Sequence, residues 1–169
     1  MLIKRFDYSD TERLYARANE IIGGLTPLKE KDCGVLCECA CCKGDDDVGM
    51  LLFPGEKTTL KTMETPNGTL AICDGSCERE KRPLACRIFP FFPAVDENGR
   101  VQTVVDARAM RVCPLAAYSD DVIFDRRFIS AVKKVGRLLA KNPECFEFMR
   151  EITENIELLE EFYSDAQEE

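Results

Sequence analysis

Apolar positions recur at helical spacing near the N-terminus. Leu14, Ala18 and Ile21 or Ile22 share one face, acidic residues open the segment and Gly23-Gly24 closes it. This pattern predicts a helix from residue 10 or 11 to residue 22. Residues 26–49 show no period, only Pro, Gly, cysteines and the acidic run Asp45-Asp46-Asp47, and so predict a loop. The acidic run lacks the spaced ligands and closing Glu of a calcium loop and reads as a solvated turn. From residue 50 to 106, short β-prone runs alternate with turn residues. Residues 50–53 end at Pro54-Gly55, residues 58–65 end at Pro66-Asn67-Gly68, and residues 69–73 follow at once. Asn67-Gly68 between two such runs predicts a hairpin. Residues 101–105, entered through Glu97-Asn98-Gly99, predict a second hairpin with residues 91–95 as its first arm.

Beyond Cys113-Pro114 the period returns to 3.6. Ser119-Asp120-Asp121 predicts a cap, and Phe124, Phe128, Val132, Val135 and Leu139 form one apolar stripe that Asn142-Pro143 ends. A last helix is predicted from about residue 144 to 163, with Phe148, Ile152, Ile156, Leu159 and Phe162 or Tyr163 inward and glutamates outward. The expected fold is α+β, one small domain over residues 1–169. Cysteine-rich metal-binding loops and short β-hairpins pack against three or more α-helices. The cysteine-bearing core spans residues 33–114, and a C-terminal helical hairpin spans residues 119–163.

Charge divides this picture. Of the net −8, residues 144–169 carry −9, with ten acids against one base, which leaves the remainder at +1. The near-neutral body is locally basic, with Arg79, Lys81, Arg82, Arg87, Arg100, Arg108 and Arg111 close in sequence. Such a cluster raises nucleic-acid binding, but the interleaved aromatics of a single-strand binder are absent, so no nucleic-acid partner is expected. The basic residues are better read as offsetting thiolates, since a divalent ion held by four of them carries about −2. No run approaches the roughly 18–20 apolar residues of a membrane span. The N-terminus has charges by position four and no apolar run behind it, unlike a signal peptide, so the cytoplasm is the expected compartment.

The cysteines decide the chemistry. Nine of ten lie between residues 33 and 113, namely Cys33, Cys37, Cys39, Cys41, Cys42, Cys73, Cys77, Cys86 and Cys113, and the chain has no histidine. Disulfide frameworks belong mostly to small secreted domains that cannot build a core, whereas 169 residues bury one without staples. Reduced thiols in this density point to a metal, and without histidine the donor set is all sulfur. If residues 37–42 are extended, Cys37, Cys39 and Cys41 share one side and Cys42 faces the other, which argues for two centres or one centre plus a free thiol. Nine thiols suffice for two four-thiolate sites with one left over. A metal shared between the N-terminal loop and Cys73–Cys86 would couple binding to folding, so chelation is expected to unfold or loosen the domain. Cys145 stands apart, at helical spacing with Met149, Ile152 and Ile156, and reads as core.

The stretch Lys81-Arg82-Pro83-Leu84-Ala85-Cys86-Arg87-Ile88-Phe89-Pro90-Phe91, preceded by Cys73 and Cys77 and followed by Cys113-Pro114, resembles the CxxCxxCC family of zinc- or iron-chelating cysteine-cluster domains. The match covers roughly residues 33–114. Arg82, Pro83, Cys86 and Arg87 supply its RPxxCR element, and Cys41-Cys42 its terminal cysteine pair. The first run departs from the family pattern, reading Cys33-x3-Cys37-x-Cys39-x-Cys41-Cys42. The resemblance implies metal binding, and some relatives are linked to lysine N-methylation of flagellin. Arg82 and Arg87 flank Cys86 and are expected to donate hydrogen bonds to the sulfurs. Pro83 is placed to open a helix carrying Cys86 in its following turn.

Two functions remain open from the sequence. One is a metal-binding protein in which zinc first, or iron, organises the fold and a surface for an unidentified protein partner. The other is an iron–sulfur enzyme or redox protein, with the protein lysine N-methyltransferase-like activity that the resemblance implies. Against an enzyme stand the lack of a glycine-rich phosphate loop, of G-x-S-x-G, of any histidine for acid–base work and of the Cys-x3-Cys-x2-Cys of radical S-adenosylmethionine enzymes. Iron–sulfur ligation itself is compatible with many spacings.

Overall fold

A computed structural model describes residues 8–29, 31–43, 48–75 and 77–165, so the acidic run at 45–47 lies outside the described residues. Helix α1 (Tyr8–Ile22) buries Tyr15, Ala18 and Ile22 and stops at Gly23, whose φ of +50° reverses the chain. A short helix α2 (Gly34–Cys37) and a 3-10 turn (Ala40–Cys42) follow in the cysteine loop. Strands β1 (Met50–Leu51), β2 (Lys61–Thr65) and β3 (Gly68–Ile72) form an antiparallel sheet in the order β1-β3-β2. Thr65 pairs with Gly68, so the turn of this hairpin is Pro66-Asn67, not the Asn67-Gly68 expected from sequence. Gly68 instead opens β3 with φ +122°, and Thr65 Oγ1 donates to its carbonyl at 2.7 Å.

Helix α3 (Leu84–Ile88) carries Cys86 and begins after Pro83. Strands β4 (Phe91–Val95) and β5 (Val101–Val105) form the second antiparallel hairpin, in register Phe91 to Val105. Helix α4 (Pro114–Ala117) starts beside Cys113, and α5 (Arg126–Leu139) and α6 (Pro143–Asp165) complete the chain. The cap of α5 is Asp125, whose carboxylate accepts from the Arg127 amide at 2.9 Å. Ser119-Asp120-Asp121, expected to cap it, forms a separate 3-10 turn. Asn142 Oδ1 accepts from the amides of Glu144 and Cys145 and so opens α6 as it ends the preceding turn.

The architecture is α+β. Helix α5 lies on α1 and on the β4–β5 hairpin, and α6 lies on β4. Phenylalanines fill the space between them: Phe53 stacks on Phe92 at 5.9 Å and meets Phe148 edge-on, while Phe91 meets Phe124 and Phe128. Cys145 is fully buried in this core, its sulfur 3.5 Å from the Tyr15 hydroxyl, which donates to the Pro54 carbonyl. No residue of the cysteine loop 33–43 is buried. Among the described residues no helix is long and apolar enough to cross a membrane.

Candidate metal centre

The cysteine loop is wound, not extended. Cys33 and Cys37 flank the single turn of α2 with i,i+4 spacing, which sets both sulfurs on one side, and Cys37 Sγ lies 4.0 Å from the Cys33 carbonyl. Glu38 and Cys39 then adopt φ of +50° and +56°, two successive left-handed residues that reverse the chain into the 3-10 turn. Each costs about 1–2 kcal/mol without a glycine. The two-residue alternation expected for residues 37–42 is therefore absent. Cys41 and Cys42, expected on opposite sides, bring their sulfurs within 3.9 Å. Cys39 packs back on α2, where a Cβ at Gly34 would stand 2.7 Å from its sulfur.

An isolated antiparallel bridge between Lys43 and Asp74 pins the end of this loop to the end of β3. The residues just before each bridge partner are Cys42 and Cys73. Gly75, at φ +98°, then turns the chain so that Cys77 comes back on Cys73. The result is three sulfurs, of Cys42, Cys73 and Cys77, all within 4.8 Å of one another. Tetrahedral zinc with bonds of about 2.3 Å needs sulfurs roughly 3.8 Å apart, so small side-chain adjustments suffice. Cys86 lines the same cavity from α3, and Arg82 donates from Nε to Cys77 Sγ at 3.2 Å.

Cys42, Cys73 and Cys86 resist ionising without a cation. Burial raises the Cys86 thiol above its ordinary value, with Glu56 and the thiols of Cys42, Cys77 and Cys73 adding to the effect. Cys42 is raised first by its hydrogen bond with Cys41 and then by burial, while Arg82 opposes the shift. Burial likewise raises Cys73 and Cys113. A soft divalent ion supplies the missing positive charge and displaces the protons, which is the chemistry such a donor set favours. All ten cysteines are free thiols.

The remaining expected site residues divide. Cys33, Cys37 and Cys113, with Cys41, line a neighbouring cavity that also borders Cys86. Arg87 is turned away from the sulfurs: it donates from NH1 to Asn19 Oδ1 at 2.6 Å and from NH2 to the Gly23 carbonyl, closing the C-terminal end of α1. It is a buried tie between α3 and α1, since α3 points successive residues to different sides. The basic stretch is dispersed in the same way. Arg108 makes a two-pronged contact with Asp106, Lys81 pairs with Glu78, and Arg79 and Arg82 face the cysteines.

Glu56 was not singled out by sequence. Its carboxylate accepts from the amides of Phe53 at 3.1 Å and Ala85 at 3.3 Å, fastening the first turn of α3 and hence Cys86. Burial pushes its carboxyl up to about 7 against those amides. No local signal separates it from the chain's other glutamates, because its role depends on α3 arriving beside it. No protein-family model, curated protein or solved structure matches the chain.

Proposed function

We propose that the protein is a metal-binding protein that holds zinc, or alternatively iron, through cysteine thiolates. Cys42, Cys73 and Cys77 form the first centre, Cys86 completes it, and Arg82 supplies a hydrogen bond to the Cys77 sulfur. The observation that carries this reading is the convergence of three sulfurs from two separate segments within 4.8 Å. The burial of Cys73 and the partial burial of Cys86 beside Leu51, Leu60 and Phe89 support it, because desolvated thiols gain most from a cation. The RPxxCR element of the zinc- or iron-chelating cysteine-cluster domains points the same way. In this role the ion ties the cysteine loop to β3 and α3, and no reaction is required of it.

One observation favours a reactive centre, whether an iron–sulfur redox site or the methyltransferase-like activity of the resembling family. A cavity of about 250 Å³ opens beside the sulfurs, walled by Leu51, Leu60, Phe89 and Val112. It falls below the roughly 300 Å³ at which small-ligand pockets begin, so a structural ion remains the better reading.

Anaerobic purification followed by metal analysis and a visible spectrum tests the proposal. A colourless protein with at least one zinc per chain supports the zinc form, and a brown one with iron and sulfide supports the alternative metal. Cys73→Ser combined with Cys77→Ser is expected to remove about one ion per chain. A folded wild-type protein with well under one metal per chain sinks the proposal.

A further inference from the structure

Four thiols outside the first centre border a second, smaller cavity. Cys33 and Cys37 reach it from the two ends of α2, Cys41 from the 3-10 turn, and Cys113 from the residue that opens α4. The contact between these segments is direct, since Cys33 packs against the buried cluster of Ala109, Cys113, Leu115 and Ala116. The cavity holds about 30 Å³. That is the scale of one or two water-sized particles, which suits a single ion.

Its wall also carries an unanswered donor. Arg79 and Arg82 both line it. Arg79 spends NH2 on the Leu25 carbonyl at 2.7 Å, but its Nε is buried with no hydrogen-bond partner among the described residues. A buried unpaired donor costs about 1–3 kcal/mol, more when charged. Thiolate sulfur is the acceptor chemistry that this cavity offers.

Resting on the metal-binding reading above, we propose a second metal site, in which Cys33, Cys37, Cys41 and Cys113 hold one thiophilic divalent ion of the zinc class. Cys33, Cys37 and Cys113 line this cavity and not the first; of the two thiols that line both, Cys86 goes to the first centre and Cys41 to the second. Each thiol that ligates gives its proton to solvent. Four thiolates and a divalent ion sum to about −2, which the guanidiniums of Arg79 and Arg82 offset, with Arg79 Nε donating to a ligating sulfur. Cys39, packed on Gly34, is the thiol left over.

Metal content of the full chain, loaded anaerobically with zinc, tests the site. About two ions per chain are expected in the wild type, about one in Cys37→Ser/Cys113→Ser and about one in Cys73→Ser/Cys77→Ser. A wild type with one ion, kept by the Cys37/Cys113 variant and lost by the Cys73/Cys77 variant, overturns the second site and leaves the first standing. Two ions retained without Cys37 and Cys113 overturn it as well, and no ion in any form defeats the metal reading itself. Because loss of buried Cys113 can unfold the chain, the wild type gives a second readout. Timed iodoacetamide labelling during chelation, mapped by mass spectrometry, is expected to release Cys33, Cys37, Cys41 and Cys113 as one cohort, distinct from Cys73, Cys77 and Cys86. Labelling of those four at one rate with or without zinc overturns the proposal.

Discussion

Glu56 shows how a single side chain can serve the site without touching an ion. Held by the Phe53 and Ala85 amides and raised to about 7 by burial, it titrates more than two units above the ordinary carboxyl near 4.5. Between those values the folded chain binds the proton and the unfolded chain does not. The stability it contributes is therefore complete below pH 4.5 and lost as pH rises through 7. At fixed free zinc, urea unfolding of the wild type is expected to lose about 2–3 kcal/mol from pH 5 to pH 8 relative to Glu56→Gln. Parallel pH profiles for the two proteins would contradict this role. The two arginines of the RPxxCR element make a complementary point. Arg82 meets the Cys77 sulfur, while Arg87, five residues on, closes α1. Their common charge was legible in the sequence, but the direction each takes is set by its place in the fold, Arg82 at the end of the 3-10 turn before α3 and Arg87 within α3.

At the scale of elements, the helices were readable because their apolar stripes face one continuous core. The stripe through Phe128, Val132, Val135 and Leu139 is buried throughout, as its period requires. Ends were less readable. Ser119, Asp120, Asp121 and Asp125 are all capping residues by type, and only the path of the chain gives the role to Asp125. Gly136 is a further case. On an exposed helix, Gly→Ala would stabilise by about 1 kcal/mol. Here an added Cβ would strike Pro93 Cβ and stand 2.6 Å from Val101 Cγ1, where α5 crosses the β4–β5 hairpin. Gly136→Ala is expected to destabilise by about 1–3 kcal/mol despite its better helix propensity, a sign that thermal or urea denaturation reads directly. A stabilised variant would mean that α5 does not lie this close to the hairpin.

For the molecule as a whole, the core and the site are separable. The main hydrophobic cluster joins α1, β4, β5, α5 and α6, while the cysteine loop 33–43 has no buried residue and contains two left-handed non-glycine residues. In the proposed role an ion ties this loop to β3 and α3, beyond the Lys43–Asp74 bridge. Chelation is thus expected to leave most of the far-UV helical signal while exposing residues 33–43 to proteolysis. Global loss of helix on chelation would show that the loop is integral to the core. The sequence alone determined the thiol inventory, nine clustered cysteines and no histidine, and the periodic elements, because residue type and local period are properties of the chain. Tertiary structure alone decided which sulfurs meet. Cys41 and Cys42 turned together because their loop is wound. Cys42, Cys73 and Cys77 converged because a bridge between distant residues and one turn at Gly75 brought them there. Spacing along a chain limits only neighbours, and an ion's ligands are chosen by distances that folding creates.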